Sequence, residues 1–226
     1  QAHESGIVRD DNLYRVALDG APQLILPPGS GGTFALSPDG QHIAVARAGI
    51  YDMQKGSIAL LDPLGVEIDD KLSFTALSAP SEVPFYPLMT WNEDSAFVRV
   101  PIPERDSDRV ALWRIPVEGE AQIFGYISAA RDGLPVWAGD QMIYWRYGEN
   151  GTPELLIAEA NGENAEVYAN GAVSNVRWLG DGVTFAFDRD DAVWLGEQGK
   201  PLRRLEVPTN QVVFAGAGRF VYLESD

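Results

Sequence analysis

Two kinds of side chain in this 226-residue sequence have types and positions that chemistry could use: carboxylates in connecting segments, and arginines that recur beside tyrosines. Hydrolysis of a glycosidic bond needs two opposed carboxyl groups, one to protonate the leaving oxygen and one to act as base or nucleophile. Asp106, Asp132 and Asp188 fall in segments where such a pair would stand. The run Asp188-Arg189-Asp190-Asp191 also offers oxygen ligands of the kind calcium takes, but it lacks the spacing and terminal glutamate of an EF-hand. A solvated loop neutralised by Arg189 is the simpler expectation. No cofactor is therefore expected, with calcium as the ion this run could accept. Asp62, Glu67, Asp69 and Asp70 form a second acidic group without a closed-site signature.

The arginines suggest recognition rather than turnover. Arg47, Arg99, Arg146 and Arg189 lie near the ends of the second strands expected below, and Tyr51, Arg105, Tyr126, Arg131, Tyr147 and Asp190 lie in nearby segments. A guanidinium is a planar fork of donors that matches a carboxylate in pairs. Arg47, Arg146 and Arg189, oriented with Tyr51 and Tyr147, would suit an extended protein or peptide segment with exposed carboxylates. Arg99 joins them only if its strand is shifted, and ordinary loop composition is the competing explanation.

Other chemistries lack their parts. Ser30 sits in Pro-Gly-Ser-Gly-Gly rather than a nucleophile elbow, His3 lies near the terminus, and His42 begins a strand, so no nucleophile and base are paired. Cysteine is absent, which excludes disulfides, thiolate catalysis and cysteine-ligated metals. Phosphate-loop, dinucleotide and zinc-hydrolase signatures are missing. Asn150-Gly151-Thr152 matches a glycosylation sequon, a short pattern that means little without a eukaryotic secretory setting.

The elements that must position these residues are short strands. Thr33–Ala46 reads as strand, Ser-Pro-Asp-Gly turn, strand. Weaker copies follow at Leu88–Val100, Pro135–Arg146, Asn175–Phe187 and Val212–Leu223, so a repeat architecture is expected. Each unit adds two further strands: Ser57–Leu61 with either Val66–Ile68 or Phe74–Leu77, Arg109–Ile115 with Ala121–Phe124, Glu154–Ala158 with Ala165–Tyr168, and Ala192–Leu195 with Leu202–Leu205. The stretch Pro101–Asp108 reads as a polar surface loop. The fifth unit holds only Gln211–Phe214 and Phe220–Glu224, and Asn12–Ala17 with Gln23–Leu26 supplies its missing half. The expectation is one all-β domain over residues 1–226: a single five-bladed β-propeller with four antiparallel strands per blade, its closing blade shared by the two termini. Residues 1–6 are expected to fray. Trp91, Trp113, Trp137, Trp145, Trp178 and Trp194 mostly fall inside strands and are expected to pack blade against blade.

The motif Phe34-Ala35-Leu36-Ser37-Pro38-Asp39-Gly40 followed by Ile43-Ala44-Val45 resembles the TolB-like β-propeller repeat, a relative of the WD-type propellers. Trp91-Asn92-Glu93-Asp94-Ser95 and Trp178-Leu179-Gly180-Asp181-Gly182 are degraded counterparts. The resemblance implies four-stranded blades that present a binding surface. It leaves the blade number open, because the family also has six- and seven-bladed members.

Charge bounds the partners. Lys+Arg 17 against Asp+Glu 33 gives a net charge of −16, which repels a phosphate backbone, so no nucleic acid is expected. The chain starts at Gln1 and has no long apolar stretch, which favours a periplasmic or secreted location without a transmembrane segment here. An anchor upstream stays open. The functional expectation is a non-enzymatic extracytoplasmic binding scaffold; the alternative is a five-bladed glycoside hydrolase with paired carboxylates at the channel mouth.

Overall fold

The computed structural model describes residues 13–15, 20–26, 32–48, 55–75, 86–105, 107–130, 133–179, 182–206, 212–216 and 219–222. The chain falls into two compact units, Gln1–Tyr126 and Ile127–Asp226. All regular elements among the described residues are strands, and no helix is long and apolar enough to cross a membrane.

In the first unit β1 (Leu13–Arg15) and β2 (Gln23–Leu26) form an antiparallel pair. Two four-stranded antiparallel meanders follow, β3 (Thr33–Leu36) to β4 (Ile43–Ala48), β5 (Lys55–Leu61) and β6 (Glu67–Thr75), then β7 (Thr90–Trp91) to β8 (Phe97–Pro103), β9 (Arg109–Pro116) and β10 (Gln122–Ser128), whose last residues pass the unit boundary. The second unit repeats the plan with β11 (Val136–Ala138), β12 (Gln141–Tyr147), β13 (Pro153–Glu159) and β14 (Glu166–Asn170), then β15 (Ser174–Trp178), β16 (Thr184–Arg189), β17 (Ala192–Glu197) and β18 (Arg203–Arg204). A further pair, β19 (Val212–Gly216) and β20 (Arg219–Tyr222), ends it.

One turn is used three times between the first and second strands of these sheets. Gly40, Ser95 and Gly182 take positive φ of 70, 59 and 67° and donate their N–H to the carbonyls of Ser37, Asn92 and Leu179. Where the first turn residue is polar it closes the hairpin itself: the His42 N–H donates to Ser37 Oγ at 2.9 Å and the Phe97 N–H to Asn92 Oδ1 at 2.9 Å. Asn92-Glu93-Asp94-Ser95 is therefore the same device as Ser37-Pro38-Asp39-Gly40, with serine accepting the left-handed position that glycine adopts more readily.

Alternation of side chains then puts one face of each sheet against its neighbour. In the first unit Ala44, Ala46, Ile58 and Leu60 pack on Val98, Val100, Ile102 and Ile115, with Trp91 and Trp113 half-buried beside them. In the second, Ile143, Trp145, Leu155 and Ile157 pack on Phe185 and Phe187, with Trp178 and Trp194 against the same cluster. Polar staples join the same sheets. Trp91 Nε1 donates to the Ala35 carbonyl at 3.0 Å and Trp178 Nε1 to the Val136 carbonyl at 2.8 Å, each from the first strand of one sheet to the first strand of the preceding one. At the outer strands, Lys71 Nζ donates to the carbonyls of Val117 and Gly119 at 2.9 and 3.1 Å, and the Tyr168 hydroxyl donates to the Lys200 carbonyl at 2.7 Å while accepting from the Glu197 N–H.

Several sequence expectations change. Pro101–Pro103 is not a polar loop: β8 continues to Pro103, and all three residues are buried because they pair with Leu112, Ala111 and Val110 of β9. The competing outer strands Val66–Ile68 and Phe74–Leu77 overlap one nine-residue strand, β6, whose register shifts twice against β5. The expected fraying of residues 1–6 lies outside the described residues.

Candidate functional site

The arginines are positioned by register. Ala35 and Val136 both accept the staple from a tryptophan indole, which marks them as equivalent, and their cross-strand partners are Ala44 and Ile143. Counting from those partners along β4 and β12 reaches Arg47 and Arg146 at the same step. Trp91 and Trp178, each just before its turn, pair with Val98 and Phe185, and equal counts along β8 and β16 reach Ile102 and Arg189. Three of the four second strands thus carry arginine at one position near their ends, and the remaining one carries Ile102.

Arg99 is not among them. It stands in the middle of β8, opposite Thr90 and Arg114, is 7% exposed, and its guanidinium lies over the Phe97 ring at 5.3 Å. The shift that would align it with the others does not occur, because β8 runs on past Pro101.

Each of the three matched arginines is held by a neighbour. Arg47 NH1 meets Glu67 Oε2 of β6 at 2.7 Å, and Arg146 Nε donates to Glu154 Oε2 of β13 at 3.1 Å. Gly148 leaves room for that second pair, since a Cβ there would collide with the Glu154 carboxylate. Arg189 lies over the Trp194 ring at 4.4 Å, with its Nε 3.4 Å from Asp190 Oδ2, while Trp194 Nε1 donates to the Arg189 carbonyl. Their side chains are 28, 37 and 24% exposed, so each is braced and still partly open to solvent. Arg146 and Arg189 stand at matching ends of successive sheets in the second unit; Arg47 holds the same register position in the first. Beside Arg146, Tyr147 is 62% exposed and edge-on to Trp145, and burial raises the Tyr144 hydroxyl above its ordinary pKa against the opposing effect of Arg146. Tyr51 lies outside the described residues.

The carboxylates sort differently. Asp106 and Asp132 lie outside the described residues. Asp188 is 8% exposed and accepts from Asn175 Nδ2 at 2.7 Å, with Arg177 NH1 3.5 Å away. Asp190 and Asp191 form the two-residue turn between β16 and β17, both left-handed with φ of 51 and 55°. No group of three or more potential metal-ligating side chains occurs among the described residues. His42 is half-buried and stacked on Trp91 with ring centroids 6.1 Å apart. Asp39, at the first turn, has its pKa lowered mainly by the Ser37 hydroxyl and the Gln41 N–H, both of which donate to Oδ1.

Sequence reasoning missed Glu67, Glu154 and Trp194 as the supports of the arginines. Glu154 and Trp194 stood in expected strands, but only the register between strands shows which arginine each one meets.

No family model matches the chain, and no curated protein does. Solved structures do. The β-propeller domain of the Trilobed protease from Pyrococcus furiosus, which has an open velcro topology, matches with a TM-score of 0.63 and 16% identity over 92% of this chain and 74% of that one. A putative TolB from Agrobacterium tumefaciens matches with a TM-score of 0.55 and 16% identity, covering 85% of this chain and 73% of that one. An oligogalacturonate lyase in complex with manganese gives a TM-score of 0.59 and 14% identity over 86% of this chain and 58% of the lyase. Repeated four-stranded antiparallel meanders and these neighbours together identify the fold of the chain as that of the TolB-like β-propellers.

Proposed function

We propose that this chain is a non-enzymatic, extracytoplasmic binding scaffold that holds a protein or peptide segment through its carboxylates, at the strand ends carrying Arg47, Arg146 and Arg189. The observation that carries this reading is the shared register of the three arginines, each braced by Glu67, Glu154 or Trp194 and part-exposed. A guanidinium matches a carboxylate as a planar fork of donors, and bracing lowers the entropy lost when a ligand carboxylate docks. The TolB-like neighbours show the fold alone, so the protein partner and the periplasmic or secreted location belong to this proposal rather than to the likeness. The net charge of −16 favours small acidic segments caught by local arginines over large polyanions, which the whole surface would repel.

Five blades are part of the same proposal. In the first unit, Ile25 of β2 covers Ile43, Val45 and Leu61, yet Phe34 and Leu36, cross-strand partners of Val45 and Ile43 on that face, remain 41 and 59% exposed. Among the described residues, Ile25 is the side chain packed on that face. The two-stranded sheet β19–β20 has the size that completes it, giving a closing blade built from both ends of the chain.

The hydrolase alternative has less support, since Asp188 is engaged by Asn175 and Arg177. The test is a panel of extended peptides with free carboxylates, measured calorimetrically against amidated counterparts. Carboxylate-dependent binding that is lost in an R47Q/R146Q/R189Q variant with unchanged circular dichroism is the expected result. Equal binding of amidated peptides, or binding unchanged in the variant, would overturn the proposal.

A further inference from the structure

Three Asn-Gly pairs occur in the chain, Asn150-Gly151, Asn161-Gly162 and Asn170-Gly171. Asparagine before glycine is chemically labile, because glycine has no side chain to hinder attack by its own amide nitrogen on the asparagine carboxamide. The structure treats the three pairs differently. Asn161 Oδ1 accepts the Glu163 N–H at 3.0 Å, which ties its carboxamide to the residues ahead. Asn170 lies in β14 opposite Glu154, and extended backbone carries its side chain away from the following nitrogen. Asn150 is exposed in the turn between β12 and β13, with exposed neighbours Glu149, Gly151 and Thr152. The Gly151 N–H donates to the Gly148 carbonyl at 2.9 Å, a bond that must open to free the attacking nitrogen. Gly162 and Gly171 carry matching bonds to the Glu159 and Pro153 carbonyls, so the sites differ in the asparagine side chain and its exposure rather than in the nitrogen.

We propose that Asn150 is a spontaneous modification site, at which the exposed β12–β13 turn converts asparagine to aspartate and isoaspartate ahead of Asn161 and Asn170. The Gly151 nitrogen gives its proton to hydroxide and bonds to Asn150 Cγ. The Cγ–Nδ2 bond then breaks, and ammonia leaves with a proton taken from water. Water opens the resulting cyclic imide at Cγ to give aspartate, or at the main-chain carbonyl carbon to give isoaspartate, which adds a methylene to the backbone. Either product places a new carboxylate beside Glu149 in the hairpin that carries the Arg146–Glu154 pair. Resting on the proposed function, this charge weakens capture of a carboxylate by Arg146, so the site acts as a slow, irreversible clock on that part of the binding face.

The experiment ages the full chain in mildly alkaline buffer and follows each Asn-Gly peptide by mass spectrometry, with electron-transfer fragmentation to separate aspartate from isoaspartate. The free peptide spanning residues 148–152 serves as the unfolded standard. Conversion at Asn150 first, and its loss in Asn150→Gln with the other two sites unchanged, is the expected result. Conversion at Asn161 or Asn170 as early as at Asn150, or no conversion at Asn150 while the free peptide converts, would overturn it. The mapping does not depend on binding, so it stands or falls apart from the proposed function. Asn150→Asp in the peptide panel tests the consequence separately: weakened carboxylate binding supports the clock, and unchanged binding removes it.

Discussion

Asp39 shows how a single turn residue sets pH behaviour. The Ser37 hydroxyl and the Gln41 N–H stabilise its ionised form and outweigh the opposing desolvation, with a lesser contribution from Ser95, so its folded pKa lies below the unfolded value. The stability it contributes is then fully present above the unfolded value and is lost as pH falls through the folded one. Urea midpoints measured down an acid series should fall for the native chain, and in Asp39→Asn the part of that fall due to this turn should vanish. An identical acid dependence in both would show that the turn does not couple to folding. Tryptophan indoles act at the same scale. Trp178→Phe keeps most of the packed ring but leaves the Val136 carbonyl without its donor, with an expected cost of about 1–2 kcal/mol in chemical denaturation.

At the scale of elements, the sheets depend on residues that join one meander to the next. The Lys71 side chain is 5% exposed and is engaged by Asp69 and by the Val117 and Gly119 carbonyls. Replacing it with methionine should cost about 1–3 kcal/mol, because three acceptors lose a buried cation. Phe185 is fully buried between Trp178, Tyr168 and Phe187, and Phe185→Ala should cost about 3–5 kcal/mol. A denaturation midpoint unchanged by either substitution would mean that the sheets are not held at these contacts. The hairpins themselves were legible in the sequence because turn chemistry is local: Asp-Gly and Asp-Ser pairs mark the places where φ turns positive at Gly40, Ser95 and Gly182. The extent of β8 was not. Pro-Ile-Pro followed by charge looks like a loop, yet Pro101 and Pro103 are buried in the strand paired with β9, a long-range effect that no local propensity contains. The same miss misplaced Arg99, because an arginine near an apparent strand end turned out to lie at a strand middle.

For the whole molecule, the all-β repeat class followed from the spacing of similar hairpins, whereas the staples Lys71 and Tyr168 were invisible because their partners lie 46 and 32 residues away along the chain. Closure belongs to this scale. Deleting residues 1–26 should expose Ile43, Val45 and Leu61 and lower the melting temperature of the remainder, and deleting residues 212–226 should do the same if β19–β20 completes that face. Loss on only the first deletion would leave an open chain of blades. The arginine positions were legible as residue types, but their equivalence emerged only from strand register, and the bracing by Glu67 and Trp194 only from the fold. The most direct measurement is a crystal structure of the chain with the tightest-binding carboxylate peptide of the panel. A peptide carboxylate within hydrogen-bond distance of Arg47, Arg146 or Arg189 is the predicted result. A peptide seated elsewhere, with no peptide carboxylate at any of these arginines, would contradict it.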